Sequence, residues 1–433
     1  MSIDSQINRL TLAKEEIRNS IIGKGVPVPE DASLSTYPSY IDEISQYGGG
    51  VDSDDSDYDY GDIAVRFFNT DGSILFEYTK YKFLQLGANP DVPMWLSYPG
   101  TWSLSYNEIV TYLETNDFVD VSVVFQFGET RIFITVTDAS KTVGINIQVT
   151  GDADGKQTTV YWGDKRANDY YNTDGTNGYV TAEHTYESAG KYIISVLARV
   201  SRYQLGHGNL KPVMPSGYDG FTIDRMDVGG DNQLMRKYAL YNQDYMSELI
   251  ISSNVMTFNE YSFYGTGIKY LYVTGTSMNN NTCGNCIHMR HLIFSKNLIT
   301  ISNDTCVGCT SLESVWMPDT NIMSIGSRAF ADCVSLQKIR FSDSITSINT
   351  NAFYNCTNLH KIKLPASLTS LDGSIFKNSG INEITVGSNI NSFTNIDSIP
   401  NDFILRVPVA KESNYSSMLS SYISSGKVTI VTY

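Results

Sequence analysis

The sequence predicts a mainly β, modular protein with an N-terminal helical segment, a small α+β domain, a β-sandwich and a C-terminal repeat solenoid. Three observations carry this. The second half repeats itself: Met246, Ile268, Met289, Leu312, Leu336, Leu359 and Ile381 are spaced 22, 21, 23, 24, 23 and 22, and each opens the pattern apolar-x-x-apolar-x-apolar. A period in the low twenties with one short strand per repeat is a solenoid, because each unit buries its apolar edge only against its neighbours. Between residues 63 and 200, alternating apolar runs are punctuated by turn chemistry. Hydrophobic residues make up 41% of the 433 and charged residues 18%, enough apolar mass for several cores.

The charge balance narrows the function. Lys plus Arg total 31 against 46 Asp plus Glu, a net charge of −15. Binding to nucleic acid through phosphates needs the opposite excess, so no nucleic-acid partner is expected. No apolar run approaches the ~20 residues of a membrane span. The start, Met1 to Gln6, has neither a basic nor an apolar leader region, so the expectation is folding in a cytoplasm with cysteines reduced.

Residues 1–47 form the first segment. Ile3, Ile7, Leu10, Lys14, Ile17 and Ile21 alternate spacings of four and three, a heptad seam with one polar member. Ile at both seam positions favours three strands, so Ile3, Ile7, Leu10, Ile17 and Ile21 are the expected oligomerisation residues of a homotrimer. The motifs Ile7-Asn8-Arg9-Leu10, Ala13-Lys14-Glu15-Glu16-Ile17, Gly25-Val26-Pro27-Val28-Pro29 and Tyr37 to Ile44 resemble a segment of tailed-bacteriophage virion structural proteins. That resemblance implies a mounting peg that joins a capsid or tail protein. Residues 48–62 read as an acidic linker. Asp55, Asp57, Asp59 and Gly61 mimic a calcium loop, but the Gly sits one position late and Arg66 stands where the closing Glu belongs, so no metal is assigned.

Residues 63–137 read as the small α+β domain. Val65–Phe68 and Ile74–Tyr78 flank Asn69-Thr70-Asp71-Gly72-Ser73, a hairpin; a helix follows near Tyr106 to Asn116; Val119–Phe127 and Thr130–Val136 read as a second hairpin. The Asp71 to Tyr78 hairpin and Trp102-Ser103-Leu104 resemble a small domain of gut-phage and prophage structural proteins. Residues 138–201 carry Val160-Tyr161-Trp162-Gly163-Asp164 and His184-Thr185-Tyr186, which resemble the PKD type of immunoglobulin-like sandwich; that family has Gly where Lys165 stands here. Trp162 and Tyr186 are expected in its core, and His184 as a buried structural histidine. Residues 202–245 read as a connecting segment.

The solenoid is assigned to residues 246–433, with a closing cap from Ile404 to Val431. The segments Ala329-Phe330-Ala331-Asp332-Cys333 and Ala352-Phe353-Tyr354-Asn355-Cys356 resemble the leucine-rich repeats of bacterial surface antigens, which also occur in phage proteins. Cys283-x2-Cys286, nineteen residues, then Cys306-x2-Cys309 imitates a zinc ribbon, with His288 and His291 close by. Yet Cys286, Cys309, Cys333 and Cys356 follow the repeat period, and Cys283 and Cys306 take the slot of Phe330, Phe353 and Phe376. A ladder of small buried thiols explains all six. No metal, cofactor or catalytic residue is assigned. No Walker loop, G-x-S-x-G or H-E-x-x-H is present.

Strand alternation sends two columns outward on the solenoid sheet. They hold Glu248, Tyr270, His291, Ser314, Lys338, Lys361, Glu383 and Ile250, Tyr272, Ile293, Trp316, Arg340, Lys363, Thr385. Tyr270, Tyr272, Ile293, Trp316, Lys338, Arg340, Lys361 and Lys363 are the expected partner-binding face, or else the surface that packs on a sister chain or the preceding domain. The resemblances together imply a fibre or adhesin of a tailed-phage virion, on head or tail, assembled in the host cytoplasm and used for assembly or for attachment to a host glycan or protein. The alternative is a bacterial cell-surface leucine-rich-repeat adhesin, which calls for a signal peptide and an anchor. A glycan-degrading virion enzyme is a third class and needs a paired-carboxylate cleft.

Overall fold

A computed structural model describes residues 63–433 apart from 93–100, 117, 125–128, 139–141, 150–156, 172–178, 198–199, 206–220, 230–233, 236, 252–256, 320 and 388. The chain divides into two units, Met1–Gly61 and Asp62–Tyr433, and the described residues all belong to the second. The seam residues Ile3, Ile7, Leu10, Ile17 and Ile21 and the acidic linker lie outside the described residues.

The first domain is a four-stranded sheet in the order β2-β1-β4-β3, formed by β1 (Val65–Phe68), β2 (Ile74–Tyr78), β3 (Thr101–Trp102) and β4 (Val119–Val124). The β1–β2 hairpin turns at Asp71, whose carboxylate accepts from the Ser73 amide at 2.9 Å. Two helices follow, α1 (Lys80–Leu86) and α2 (Tyr106–Thr115). Ser105 and Glu108 close a capping box at the start of α2, which buries Ile109 and Leu113 on the sheet.

Among the described residues β4 and the strand after it do not pair, so the expected second hairpin is not formed. β4 is buried along its length, and its two edges are taken by β1 in parallel and β3 antiparallel. The next strand, β5 (Glu129–Val136), has no edge to join there. It crosses instead into a sandwich, where it pairs with β10 (Gly190–Leu197) and β12 (Phe221–Val228). The strand expected to close the small domain's second hairpin thus belongs to a sheet of the sandwich.

The sandwich has one sheet ordered β14-β12-β5-β10-β7-β8, in which β14 is Glu248–Ile251, and another ordered β11-β6-β9. Its remaining strands are β6 (Thr142–Val149), β7 (Gln157–Tyr161), β8 (Ala167–Tyr171), β9 (Tyr179–Thr185) and β11 (Val200–Leu205). Ile132, Ile134, Val143, Val160, Trp162, Ala182, Ile194 and Val196 share its core. The Tyr186 hydroxyl donates to the Trp162 carbonyl at 2.8 Å, and His184 stacks on Trp162 while bonding the Asp164 carboxylate at 2.8 Å. Lys165 holds φ 72°, the left-handed backbone that glycine takes without cost.

Residues 202–245 do more than connect. β12 pairs antiparallel with β5 and parallel with β14 (Glu248–Ile251), so one sandwich sheet runs into the first solenoid rung. The front strands continue as β16 (Tyr270–Val273), β18 (His291–Phe294), β20 (Ser314–Trp316), β22 (Lys338–Arg340), β24 (Lys361–Lys363), β26 (Glu383–Thr385), β28 (Phe403–Val407) and β29 (Val428–Thr432). The back strands are β13 (Leu234–Met235), β15 (Thr257–Phe258), β17 (Ser277–Met278), β19 (Thr300–Ile301), β21 (Ser324–Ile325), β23 (Ser347–Ile348), β25 (Ser370–Asp372) and β27 (Ser392–Thr394). Rungs pair in parallel, as stacked repeats must. The repeat markers Met246 to Ile381 are all fully buried. Two short helices, α3 (Glu412–Met418) and α4 (Ser420–Ser424), lie between β28 and β29 and close the end.

Candidate functional site: the front face of the solenoid

Alternation on the front strands divides the side chains as their phase requires. Leu271, Leu292 and Val315 enter the solenoid core, while Tyr270, Ile293 and Trp316 point off it and join the core of the small domain. Phe68 stacks on Tyr270 with centroids 5.4 Å apart and lies 4.7 Å from the His291 ring. Tyr112 and Phe118 meet Trp316 edge-on, each at 5.6 Å. Trp316 is 0% exposed and Tyr270 3%, and Tyr272 is half-buried against the same cluster. Gly72 belongs to this contact: a Cβ there would lie 2.6 Å from the Tyr270 Cβ, so only glycine lets the hairpin approach the sheet.

The upstream half of the expected partner face is therefore occupied within the chain. Tyr270, Tyr272, Ile293 and Trp316 are core contacts between the small domain and the solenoid, not an open surface. Arg340 is buried too. Its guanidinium lies over Tyr112 and Trp316 and bonds Asn116 Oδ1 at 3.2 Å and Asp319 Oδ1 at 2.8 Å. His291 stands in an outward slot of the front sheet and is covered there by Phe68.

A polar network crosses the same contact. Arg66 on β1 holds Asp120 on β4 through two bonds of 2.7 Å and reaches Ser314 Oγ at 3.1 Å. Ser314 also lies 3.3 Å from Asp120 Oδ2 and 2.9 Å from His291 Nδ1. Burial pushes the Asp120 carboxyl up, and the Arg66 charge opposes it. Burial, then the Arg66 and Arg290 charges, push His291 down to about 3. Serine, histidine and aspartate thus meet without the geometry of a nucleophile. Asp120 bonds the serine rather than the imidazole, Arg66 neutralises it, and the group is sealed under the small domain. Around this centre Thr70 bonds Glu248, the Tyr112 hydroxyl accepts from the Asp319 amide at 3.1 Å, and Lys296 pairs with Glu108 at 3.3 Å.

Downstream the face is open. Lys338, Lys361 and Lys363 are exposed. Among the described residues the front sheet has no ladder between β22 and β24, and a cleft of about 220 Å³ opens there beside the end of α2. Thr115, Asn116, Arg340, Asp343, Lys363, Thr385 and Tyr433 supply its polar lining. Of these, Arg340, Lys363 and Thr385 stand in the outward columns. The others carry no sequence signal, because the cleft arises from a missing ladder and from a domain joined through contacts as remote as Asn116 and Arg340, 224 positions apart.

The six cysteines are free and buried. Thiols donate one rung back: Cys286 to the Phe263 carbonyl at 3.0 Å, Cys309 to Cys283 at 3.0 Å, Cys333 to Cys306 at 3.3 Å and Cys356 to Phe330 at 3.1 Å. Their spacing is that of the rungs. Among the described residues no group of three or more His, Cys, Asp or Glu is placed to hold a metal ion.

Residues 209–277 and 276–397 match the BspA type leucine rich repeat region, in six copies. The match begins upstream of residue 246, where the β13 rung also lies. No curated protein matches the chain. Among solved structures, a leucine-rich repeat protein from Eubacterium ventriosum is 24% identical over 36% of this chain and 43% of its own, with a TM-score of 0.33. A leucine rich cell surface protein from Faecalibacterium prausnitzii is 18% identical over 44% of this chain and 61% of its own, with a TM-score of 0.28. The leucine rich repeat protein of T. pallidum is 16% identical over 50% and 88%, with a TM-score of 0.30. The chain thus spans less than two thirds of the first two.

Proposed function

We propose that this chain is a non-enzymatic binding protein displayed on a surface, in the manner of a bacterial leucine-rich-repeat adhesin. The six-copy BspA-type repeat match over residues 209–397 carries this reading. The fold supports it: a long stack of rungs gives a rigid presenting surface, and the residues that imitate a catalytic triad serve to fix one domain on another. The small domain acts as a permanent bracket over the upstream rungs, and the downstream front face does the binding. Protease accessibility on intact cells expressing the chain tests this. Release of solenoid peptides by external trypsin is expected, and protection equal to a cytoplasmic control would refute display.

A second reading is a virion appendage, with a PKD-type sandwich and residues 1–47 as a trimeric peg on a capsid or tail protein. The motifs Ile7-Asn8-Arg9-Leu10 and Gly25 to Pro29 favour it. Antibody-gold labelling of intact particles by electron microscopy separates the two readings.

A further inference from the structure

We propose that the cleft beside the end of α2 takes a single saccharide residue bearing a carboxylate. This deepens the surface-binding reading and rests on it. The cleft holds about 220 Å³, below the size of pockets that enclose drug-sized ligands, and suits one ring rather than a buried chain.

Its walls come from both domains and are tied together. Lys363 donates to the Thr115 carbonyl at the end of α2, and Arg340 bonds Asn116 while pairing with Asp319. The site is therefore preformed, which lowers the entropy cost of binding. The floor is hydrocarbon, from Phe341, Leu364, Pro365 and Val386, and the rim is polar, from Thr115, Asn116, Asp343 and Thr385. A sugar ring has the matching division: an apolar C–H face and an edge of hydroxyls that both donate and accept. A wholly apolar ligand would leave the rim groups unpaired, and a bare ion would leave the floor bare.

Charge selects the carboxylate. Among the described residues Lys363 has no carboxylate within ion-pair distance, its Nζ being held by a neutral carbonyl. Lys338 on β22 and Lys361 on β24 are exposed beside the cleft and outside its lining, two positions before Arg340 and Lys363, which line it. Lys361 reaches Glu383 only at 3.7 Å, and Glu383 is engaged at 2.7 Å by Arg406. Asp343 is the carboxylate of the lining, set against the Lys363 ammonium and the Arg340 guanidinium, with Lys338 and Lys361 exposed beside them. In a chain of net charge −15 this is a local positive field suited to an acidic sugar.

The test uses the full-length protein with galacturonic acid and N-acetylneuraminic acid, their methyl esters, and galactose, followed by saturation-transfer NMR and calorimetry. At least one acid should bind at millimolar concentration, and its ester and galactose about tenfold more weakly or worse. Whichever acid binds tighter assigns the sugar class. Lys363→Gln keeps an N–H for the Thr115 carbonyl, and should weaken the acid about tenfold at unchanged melting temperature. Thr385→Trp should block every ligand by filling the cleft, and decides the matter if the first variant unfolds. Failure of both acids to bind, equal binding of acid and ester, or wild-type affinity in a folded variant would overturn the proposal. Cell-surface display that persists while both acids fail leaves the wider reading standing and removes only this site.

Discussion

Arg66 and Ser314 are 248 positions apart in the chain, and the Arg66 guanidinium lies 3.1 Å from the Ser314 hydroxyl. Arg66 belongs to the small domain and Ser314 to the fourth front rung of the solenoid. The contact joins a fully buried carboxylate, Asp120, to a serine at a surface otherwise made of Phe68, Tyr270, Ile293 and Trp316. Polar groups sealed in such a surface tolerate one arrangement, because any slip leaves them without partners. The apolar rings supply the adhesion, and the Arg66–Asp120–Ser314 group sets where the small domain sits.

Arg66→Met should therefore be severe. It strands Asp120 in a dry interface, at a cost of about 3–5 kcal/mol. The double variant Arg66→Met, Asp120→Leu removes both charges and should recover most of that loss. Urea unfolding of the two variants checks it. A double variant as unstable as the single one would show that the pair contributes more than the relief of its own burial.

Trp316→Ala tests what covers the outward column. An exposed outward residue would change stability by less than ~0.5 kcal/mol on truncation. Trp316 is sealed between Tyr112, Phe118 and Arg340, so its loss should cost about 3–5 kcal/mol. Calorimetric melting of the single variant distinguishes these outcomes.

The solenoid was legible because stacking repeats its demands: the slot of Leu312 must be filled again at Leu336 and Leu359, and the sequence shows the period. The outward phase of Tyr270, Tyr272, Ile293 and Trp316 was legible from alternation alone. What covers them was not, since nothing local in Tyr270 points to Phe68, about 200 residues earlier. β5 misled for the same reason. Its neighbour in sequence offered a hairpin, while both edges of β4 were already taken by β1 and β3. The cleft was invisible because an absent ladder between β22 and β24 leaves no mark in composition or spacing.

The cysteines should be inert until the rungs open. Burial pushes Cys283 up to about 11 and holds Cys333 well above its ordinary value, and the thiolate is the reactive form. At mildly alkaline pH none of the six should react with an aromatic disulfide reagent in native buffer, and all six should react in denaturant. Rapid labelling of Cys283 or Cys306 in the folded protein would contradict the ladder.

Acid should loosen the small domain through His291. In the folded chain its imidazole is held neutral, pushed from an ordinary 6.5 to about 3 by burial first, then by the Arg66 and Arg290 charges. In the unfolded chain it takes up a proton as pH falls below about 6.5. The unfolded state thus binds more protons across that interval, and stability falls with acidification. Above about 6.5 His291 contributes no pH dependence. Between about 6.5 and 3 it should lower stability by up to about 1.4 kcal/mol per pH unit. His291→Asn keeps a polar partner for Ser314 and removes the titration. Carboxylates common to both proteins cancel in the difference, so the wild-type advantage over the variant should shrink steadily from pH 6.5 downward. A difference that stays constant with pH would mean that His291 charges within the fold, and that the small domain does not seal it.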